Sequence, residues 1–180
     1  MTPQGTCPVV CVSWNDAKTF CEWLTKKERA EGKIGSNQSY RLPRDWEWSV
    51  AVGLRESRDG PPKNKNGMMR NHYPWGTGWP PPQGSGNYAD LSAKQLFISW
   101  SVIEGYDDGY PTTSPVGSFR ANQHGIYDLG GNVWELCEDY YDGMSGGRVM
   151  RGGAWYSRTS RYLLSSYRLD LRPDDRDDNV

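Results

Sequence analysis

The feature that most constrains this chain is the run Gly125-Ile126-Tyr127-Asp128-Leu129-Gly130-Gly131-Asn132-Val133-Trp134-Glu135-Leu136, followed by Arg148-Val149-Met150-Arg151-Gly152-Gly153-Ala154-Trp155. Glycine pairs, tryptophans and acids alternate too tightly for a plain helix or a plain strand. Gly130-Gly131 permits positive φ or a very close backbone approach. Asp128 and Glu135 flank the turn as hard oxygen donors of the kind a cation takes. Read alone, the segment is a glycine-rich turn with two solvated carboxylates, a common loop composition.

The bulk properties narrow the class. A length of 180 residues fits one domain, long enough to bury roughly two-thirds of its unfolded surface. Glycine and proline are abundant (21 and 12), yet there are nine Trp and eleven Tyr. That pairing predicts a loop-rich fold with a core built on a few large aromatics, and it argues against disorder. A net charge of −1 gives no global field for nucleic acid or a membrane surface. No apolar run approaches the ~20 residues of a membrane helix. Met1 to Thr6 has no signal-peptide pattern. The cysteines Cys7, Cys11, Cys21 and Cys137, with only two histidines, supply a zinc site poorly. A Cys7–Cys11 disulfide is open only in an oxidising compartment.

Along the chain, Val9 to Val12 reads as a short strand. Ser13 caps a helix with Asp16 as capping-box partner. Ala17, Phe20, Cys21 and Leu24 follow at helical spacing, which places Cys21 in the core, and Gly32 is the stop. Pro43 sets up a second helix from Arg44 to Val52, closed by Gly53, with Trp48 and Ala51 inward. Its start is weak, because Arg44 stands where a capping Ser or Thr is usual. Residues 55–71 read as an exposed insertion loop, and 73–86 cannot be regular structure. Beyond Asn87 the pattern predicts loop until Gly125. Short strands are expected around Tyr127, Val133 to Leu136, Val149 to Arg151 and Tyr162 to Tyr167. Periodicity by itself gives only a loop-rich α+β fold.

Seven motifs recur in a telling order: Pro8-Val9-Val10-Cys11-Val12-Ser13-Trp14, Tyr40-Arg41-Leu42-Pro43, Tyr73-Pro74-Trp75-Gly76, Gly86-Asn87-Tyr88-Ala89-Asp90, Thr113-Ser114-Pro115-Val116-Gly117-Ser118-Phe119, the glycine run, and Arg151-Gly152-Gly153-Ala154-Trp155. In this order they resemble the sulfatase-modifying-factor family, whose namesake is the formylglycine-generating enzyme. The resemblance runs from about Pro8 to Val180. It implies an α+β, loop-rich, C-type-lectin-like fold with two helices, small antiparallel sheets and calcium-braced loops. It also implies that residues 1–180 are a single, partial domain of a divergent bacterial member. The family's N-terminal strands are missing upstream of Pro8, and a final Gly-Phe-Arg strand is expected just past Val180.

The resemblance implies two calcium sites. One maps to the side chains of Asp128 and Glu135 and the carbonyls of Gly131 and Val133. The other maps to the side chains of Asp90 and Asp108 and the carbonyls of Leu91 and Tyr110. Bound calcium would help order long loops, each residue of which costs roughly 1–2 kcal/mol to fix. The family's oxidase uses copper, a soft ion that wants thiolates. Its two catalytic cysteine positions are Ser157 and Tyr162 here, and its active-site serine position is Ala154. Copper chemistry is therefore not expected. A family branch that uses histidine-bound iron carries an extra helical domain, and His72 and His124 alone make a poor iron site.

What remains is a surface. Trp134 matches a cleft-lining tryptophan. Tyr156, Arg158, Arg161 and Tyr162, continuing to Tyr167, Arg168 and Arg172, have the composition of a recognition patch. Arginines paired with the acids between Asp170 and Asp178 are the alternative, with Arg168 and Arg176 the foremost structural candidates. The expectation is a non-catalytic, calcium-braced binding or accessory module for a protein or peptide ligand, of the kind fused to signalling domains such as kinases. An exported or cell-envelope setting is expected ahead of a cytoplasmic one. The alternative is an oxidase that converts a sulfatase cysteine to formylglycine, or another enzyme in the same cleft.

Overall fold

The structure is a computed structural model that describes residues 5–180. Its elements are helices α1 (Trp14–Ala30), α2 (Asp45–Ala51) and α3 (Leu91–Leu96), a 3-10 turn (Pro62–Lys65), and strands β1 (Glu135–Tyr140), β2 (Arg148–Arg151) and β3 (Leu169–Leu171). The strands form one antiparallel sheet in the order β1-β2-β3. Glu135 faces Arg151 and Tyr140 faces Arg148, with a register irregularity between. The fold is mixed α+β, as expected, and loops occupy most of the chain.

The capping box forms at the start of α1. Asp16 N–H donates to Ser13 Oγ at 3.1 Å and Ser13 N–H donates back to Asp16 Oδ2 at 2.9 Å. Arg44 gives α2 no side-chain cap, as its residue type predicts. Glu47 compensates by accepting from Arg44 N–H at 2.8 Å. Trp48 is buried under α2.

The core has three aromatic-rich clusters. One joins Trp14, Trp134, Leu136, Met150, Ala154, Tyr167 and Val180. A second is Tyr73, Tyr88, Ile103, Tyr106 and Leu163, and a third is Trp48, Leu129, Cys137 and Val149. The first and third draw on both loops and regular elements and the second on loop residues alone, so the loops are part of the core.

Several expectations are corrected. Val9 to Val12 is not a strand: Cys11 has φ 60°, which breaks extended pairing. Cys11 N–H instead donates to Asp177 O, and Val12 N–H to Val180 O. There are three α-helices among the described residues, not two, because Asp90 caps α3 through Ala93 N–H at 2.8 Å. No strand forms at Tyr127 or across Tyr162 to Tyr167, while β3 lies just beyond. The face of α1 is shallow: Phe20 and Trp23 are exposed and Cys21 is only half-buried. α1 is held to β1 by its N-terminal half, where Trp14 Nε1 donates to Cys137 O at 2.9 Å and Lys18 pairs with Glu138, and the buried Thr25 accepts from Tyr40 N–H at 2.9 Å. All four cysteines are free.

Residues 55–71 are not a free insertion. Gly67 N–H donates to Ser166 O, Met69 N–H to Ser166 Oγ, and Arg168 N–H to Asn66 Oδ1. Glu56 and Lys65 also reach the buried carboxylate of Asp45, Lys65 directly at 3.3 Å and Glu56 through Arg168. Asp45 is the hub of that network. It pairs with Arg151 at 2.5 Å and with Arg168 at 2.8 Å, and both guanidiniums are fully buried. Burial would push the Asp45 carboxyl up, but Arg151, Arg168 and Lys65 together hold it below its ordinary range.

Candidate functional site

The glycine run makes four left-handed steps, at Gly125 (φ 74°), Asp128 (φ 57°), Gly131 (φ 84°) and Asn132 (φ 63°). Gly131 must lack a side chain: a Cβ there would lie 2.2 Å from the Asn87 carbonyl oxygen. Asn132 locks the turn, accepting from Ser114 N–H at 3.0 Å and donating to Ser114 O at 3.2 Å. The result brings Asp128, Gly131, Val133 and Glu135 into the lining of one cavity of about 420 Å³.

The electrostatics of that cavity are unbalanced. Asp128 accepts from Gly117 N–H at 2.7 Å and Glu135 from Trp48 Nε1 at 2.5 Å. Neither carboxylate has an ion-pair partner among the described residues. Burial, reinforced by the Asp128 charge, pushes the Glu135 carboxyl up to about 7 against the pull of Trp48 and Arg151. No backbone amide donates to the Gly131 or Val133 carbonyls among the described residues, whereas the Asn132 carbonyl between them accepts from Trp155 N–H. Two carboxylates and two unclaimed carbonyls around one cavity fit a hard, oxygen-seeking dication.

The second set is more self-contained. Asp90 Oδ1 caps α3 and its Oδ2 accepts from Asp108 N–H at 2.6 Å. Asp108 accepts from Tyr88 N–H and Tyr110 N–H, both at 2.9 Å. Burial, with smaller contributions from Asp90 and Asp107, pushes Asp108 up to about 7. Leu91 opens α3 directly after Asp90. The side-chain donors are again oxygen and the local charge is again negative, but each carboxylate oxygen already accepts from a backbone amide. Among the described residues there is no group of three or more His, Cys, Asp or Glu that could hold a metal ion by side chains alone.

The positions expected to carry thiols are differently occupied. Ser157 is buried. Its Oγ accepts from Ala154 N–H at 3.0 Å and its carbonyl from Ala89 N–H at 3.1 Å. It is a fixed turn residue. Tyr162 is exposed, its ring 5.1 Å from that of Tyr167. Trp134 does not reach the surface: it is 3 % exposed and its indole N–H donates to Tyr156 Oη at 2.9 Å. Tyr156 is half-buried, while Arg158 and Arg161 are exposed. Arg168 leaves the surface set for the Asp45 network, and Arg176 pairs with Asp16 across the chain at 2.8 Å. A separate cavity of about 570 Å³ is lined by residues such as Trp75, Gln83, Arg120 and Asn122 and by none of the expected site residues. Sequence reasoning missed the role of Asp45. Its one clue is an acid placed directly after the Pro43-Arg44 helix start.

Comparison with known proteins agrees with the motif order. The sulfatase-modifying factor enzyme 1-like domain (FGE-sulfatase) matches residues 2–180, and this chain belongs to that family. It is 28% identical to the formylglycine-generating enzyme of Streptomyces coelicolor, over 99% of this chain and 51% of that protein. It is 31% identical to the inactive C-alpha-formylglycine-generating enzyme 2 of Bos taurus, over 96% of this chain and 48% of that protein. The chain thus spans about half the length of these curated relatives. The serine/threonine-protein kinase pkn1 of Chlamydia caviae is 29% identical over 83% of this chain and 19% of the kinase. Among solved structures, PvdO from Pseudomonas aeruginosa superposes with a TM-score of 0.60 at 26% identity, covering 99% of this chain and 61% of that one.

Proposed function

We propose that this chain is a non-catalytic binding or accessory module on the sulfatase-modifying-factor scaffold, braced by calcium. The observation that carries the reading is the state of the two expected thiol positions. Ser157 is buried and hydrogen-bonded into a turn, and Tyr162 is an aromatic side chain on the surface. Neither offers a soft ligand for copper. A relative named as inactive, matching over nearly the whole chain, is consistent with a family that holds members without the activity.

In this reading Asp128, Gly131, Val133 and Glu135 hold one calcium ion, and Asp90, Leu91, Asp108 and Tyr110 hold a second. The ions supply positive charge that offsets the two acidic pairs and ties the loops together. The ligand is a protein or peptide that meets the surface of Tyr156, Arg158, Arg161 and Tyr162. The similarity to a segment of pkn1 supports a setting in which such a module is joined to a signalling domain such as a kinase. A bacterial source and an exported or cell-envelope location belong to the same reading.

The test is mass spectrometry of a sulfatase-type cysteine peptide incubated with the full-length protein, copper, oxygen and a reductant. An unchanged peptide is expected from a preparation that calcium measurably stabilises. Conversion of the cysteine to an aldehyde would overturn the reading in favour of the formylglycine-generating oxidase.

A further inference from the structure

Beside the surface just described lies a cleft of about 490 Å³. Segment 66–71 contributes Asn66, Gly67, Arg70 and Asn71, segment 160–164 contributes Ser160, Arg161 and Leu164, and Tyr73 completes the lining. Two of these residues are guanidinium-bearing and no lining residue is Asp or Glu. Both arginines are exposed. Neither has an ion-pair partner among the described residues, whereas Arg41, Arg151, Arg168 and Arg176 are all paired. Arg161 makes only a distant approach to the Tyr167 ring, 6.0 Å from its centroid.

The two segments are not loose. Gly67 N–H and Met69 N–H donate to Ser166, Ser166 Oγ donates to Met69 O, and Ser165 N–H donates to His72 O. Arg70 therefore projects from backbone tied to Ser165 and Ser166, and Arg161 from the turn before them, which Leu164 N–H closes on the Arg161 carbonyl. The adjoining base is apolar and rigid, since the buried Tyr73 ring stacks on Trp75 at 4.7 Å.

We infer that this cleft binds an acidic peptide segment, with Arg70 and Arg161 receiving its carboxylates. The inference rests on the binding-module reading and names the chemistry of its ligand. Two guanidinium forks facing one cleft match carboxylates in geometry and charge. The cleft is far larger than a single small anion needs, and Tyr73 and Leu164 give apolar contact for the stems of peptide side chains. A net charge of −1 for the chain makes this a local patch, so attraction is confined to the cleft.

The experiment titrates the full-length protein with a fluorescein-labelled oligo-glutamate peptide, followed by anisotropy at low and high salt. Saturable, salt-weakened binding is expected. Arg70→Glu and Arg161→Glu should each weaken it at least about tenfold, the usual effect of losing a charged hydrogen bond. Lys33→Glu, which alters only a surface pair with Glu31, should leave it unchanged. The double reversal should instead bind an oligo-lysine peptide, which a misfolded variant would not do. Absence of saturable binding, equal binding of oligo-glutamine, or indifference to Arg161→Glu would overturn the inference. So would displacement by inorganic phosphate at the same concentration as unlabelled peptide, which would mark a small-anion site. Aldehyde formation in the copper assay would refute the non-catalytic reading without touching this titration.

Discussion

Replacing Glu135 with glutamine should stabilise the metal-free protein at alkaline pH, although it removes a residue assigned to a metal site. The Glu135 carboxyl titrates at about 7 in the fold against an ordinary 4.5. Between those values the native state keeps a proton that the unfolded chain has released, so stability falls as pH rises. Above pH 7 the ionised group costs about 2–3 kcal/mol, allowing for some solvent screening. The amide of the Glu135→Gln variant keeps an oxygen for the Trp48 indole and carries no charge, so that cost disappears. For a chain of this size the gain is roughly 4–12 °C in Tm. Thermal unfolding with a chelator at pH 8 should show that gain, and at pH 5 it should shrink to almost nothing because the wild-type carboxyl is then protonated. Adding calcium at pH 8 should reverse the order, since only the wild type has both carboxylates to bind it. A variant less stable than wild type in chelator at pH 8, or one shifted equally at both pH values, would refute the argument.

Asp45→Asn should be among the most damaging single changes. It leaves the buried guanidinium of Arg151 with no carboxylate partner and that of Arg168 with Glu56 alone, and should cost about 3–5 kcal/mol in urea unfolding. Because the Asp45 carboxyl is held low, its contribution is present at neutral pH and lost as pH falls below the ordinary 3.8. The variant's acid-unfolding limb should be flatter. Gly131→Ala should cost roughly 2–5 kcal/mol, combining left-handed strain with the clash on the Asn87 carbonyl. Gly125→Ala is the control, with φ 74° but nothing within 4 Å. It should cost only about 1–2 kcal/mol, and equal urea midpoints for the two variants would refute the close-approach argument.

Local chemistry was readable from the sequence wherever a few adjacent residues decide the outcome. The Ser13–Asp16 capping box, the missing cap at Arg44 and the glycine pair are of this kind, because short-range sterics and hydrogen bonds set them. The motif order carried the family and the α+β class. Structure that depends on distant partners was not readable. Val9 to Val12 has strand composition, yet Cys11 turns left-handed and its segment lies against Asp177 and Val180. Residues 55–71 look like a solvated loop, but Asn66, Gly67 and Met69 are held by Ser166 and Arg168, about a hundred positions away. Trp134 reads as a surface aromatic, but the Tyr156 hydroxyl and the core around Tyr167 claim it.

The bonds between segment 66–71 and Ser166 have a kinetic consequence. Irregular loops that bind ligands commonly order themselves on contact, which slows association and consumes part of the interaction energy. Here the folding reaction has already done the ordering, through the same residues that lead to the Asp45 network. The amides of Gly67, Met69 and Ser165 should therefore exchange with deuterium only when the whole core opens. Association at this cleft would proceed in one step, its rate set by diffusion and charge and not by rearrangement of the loop.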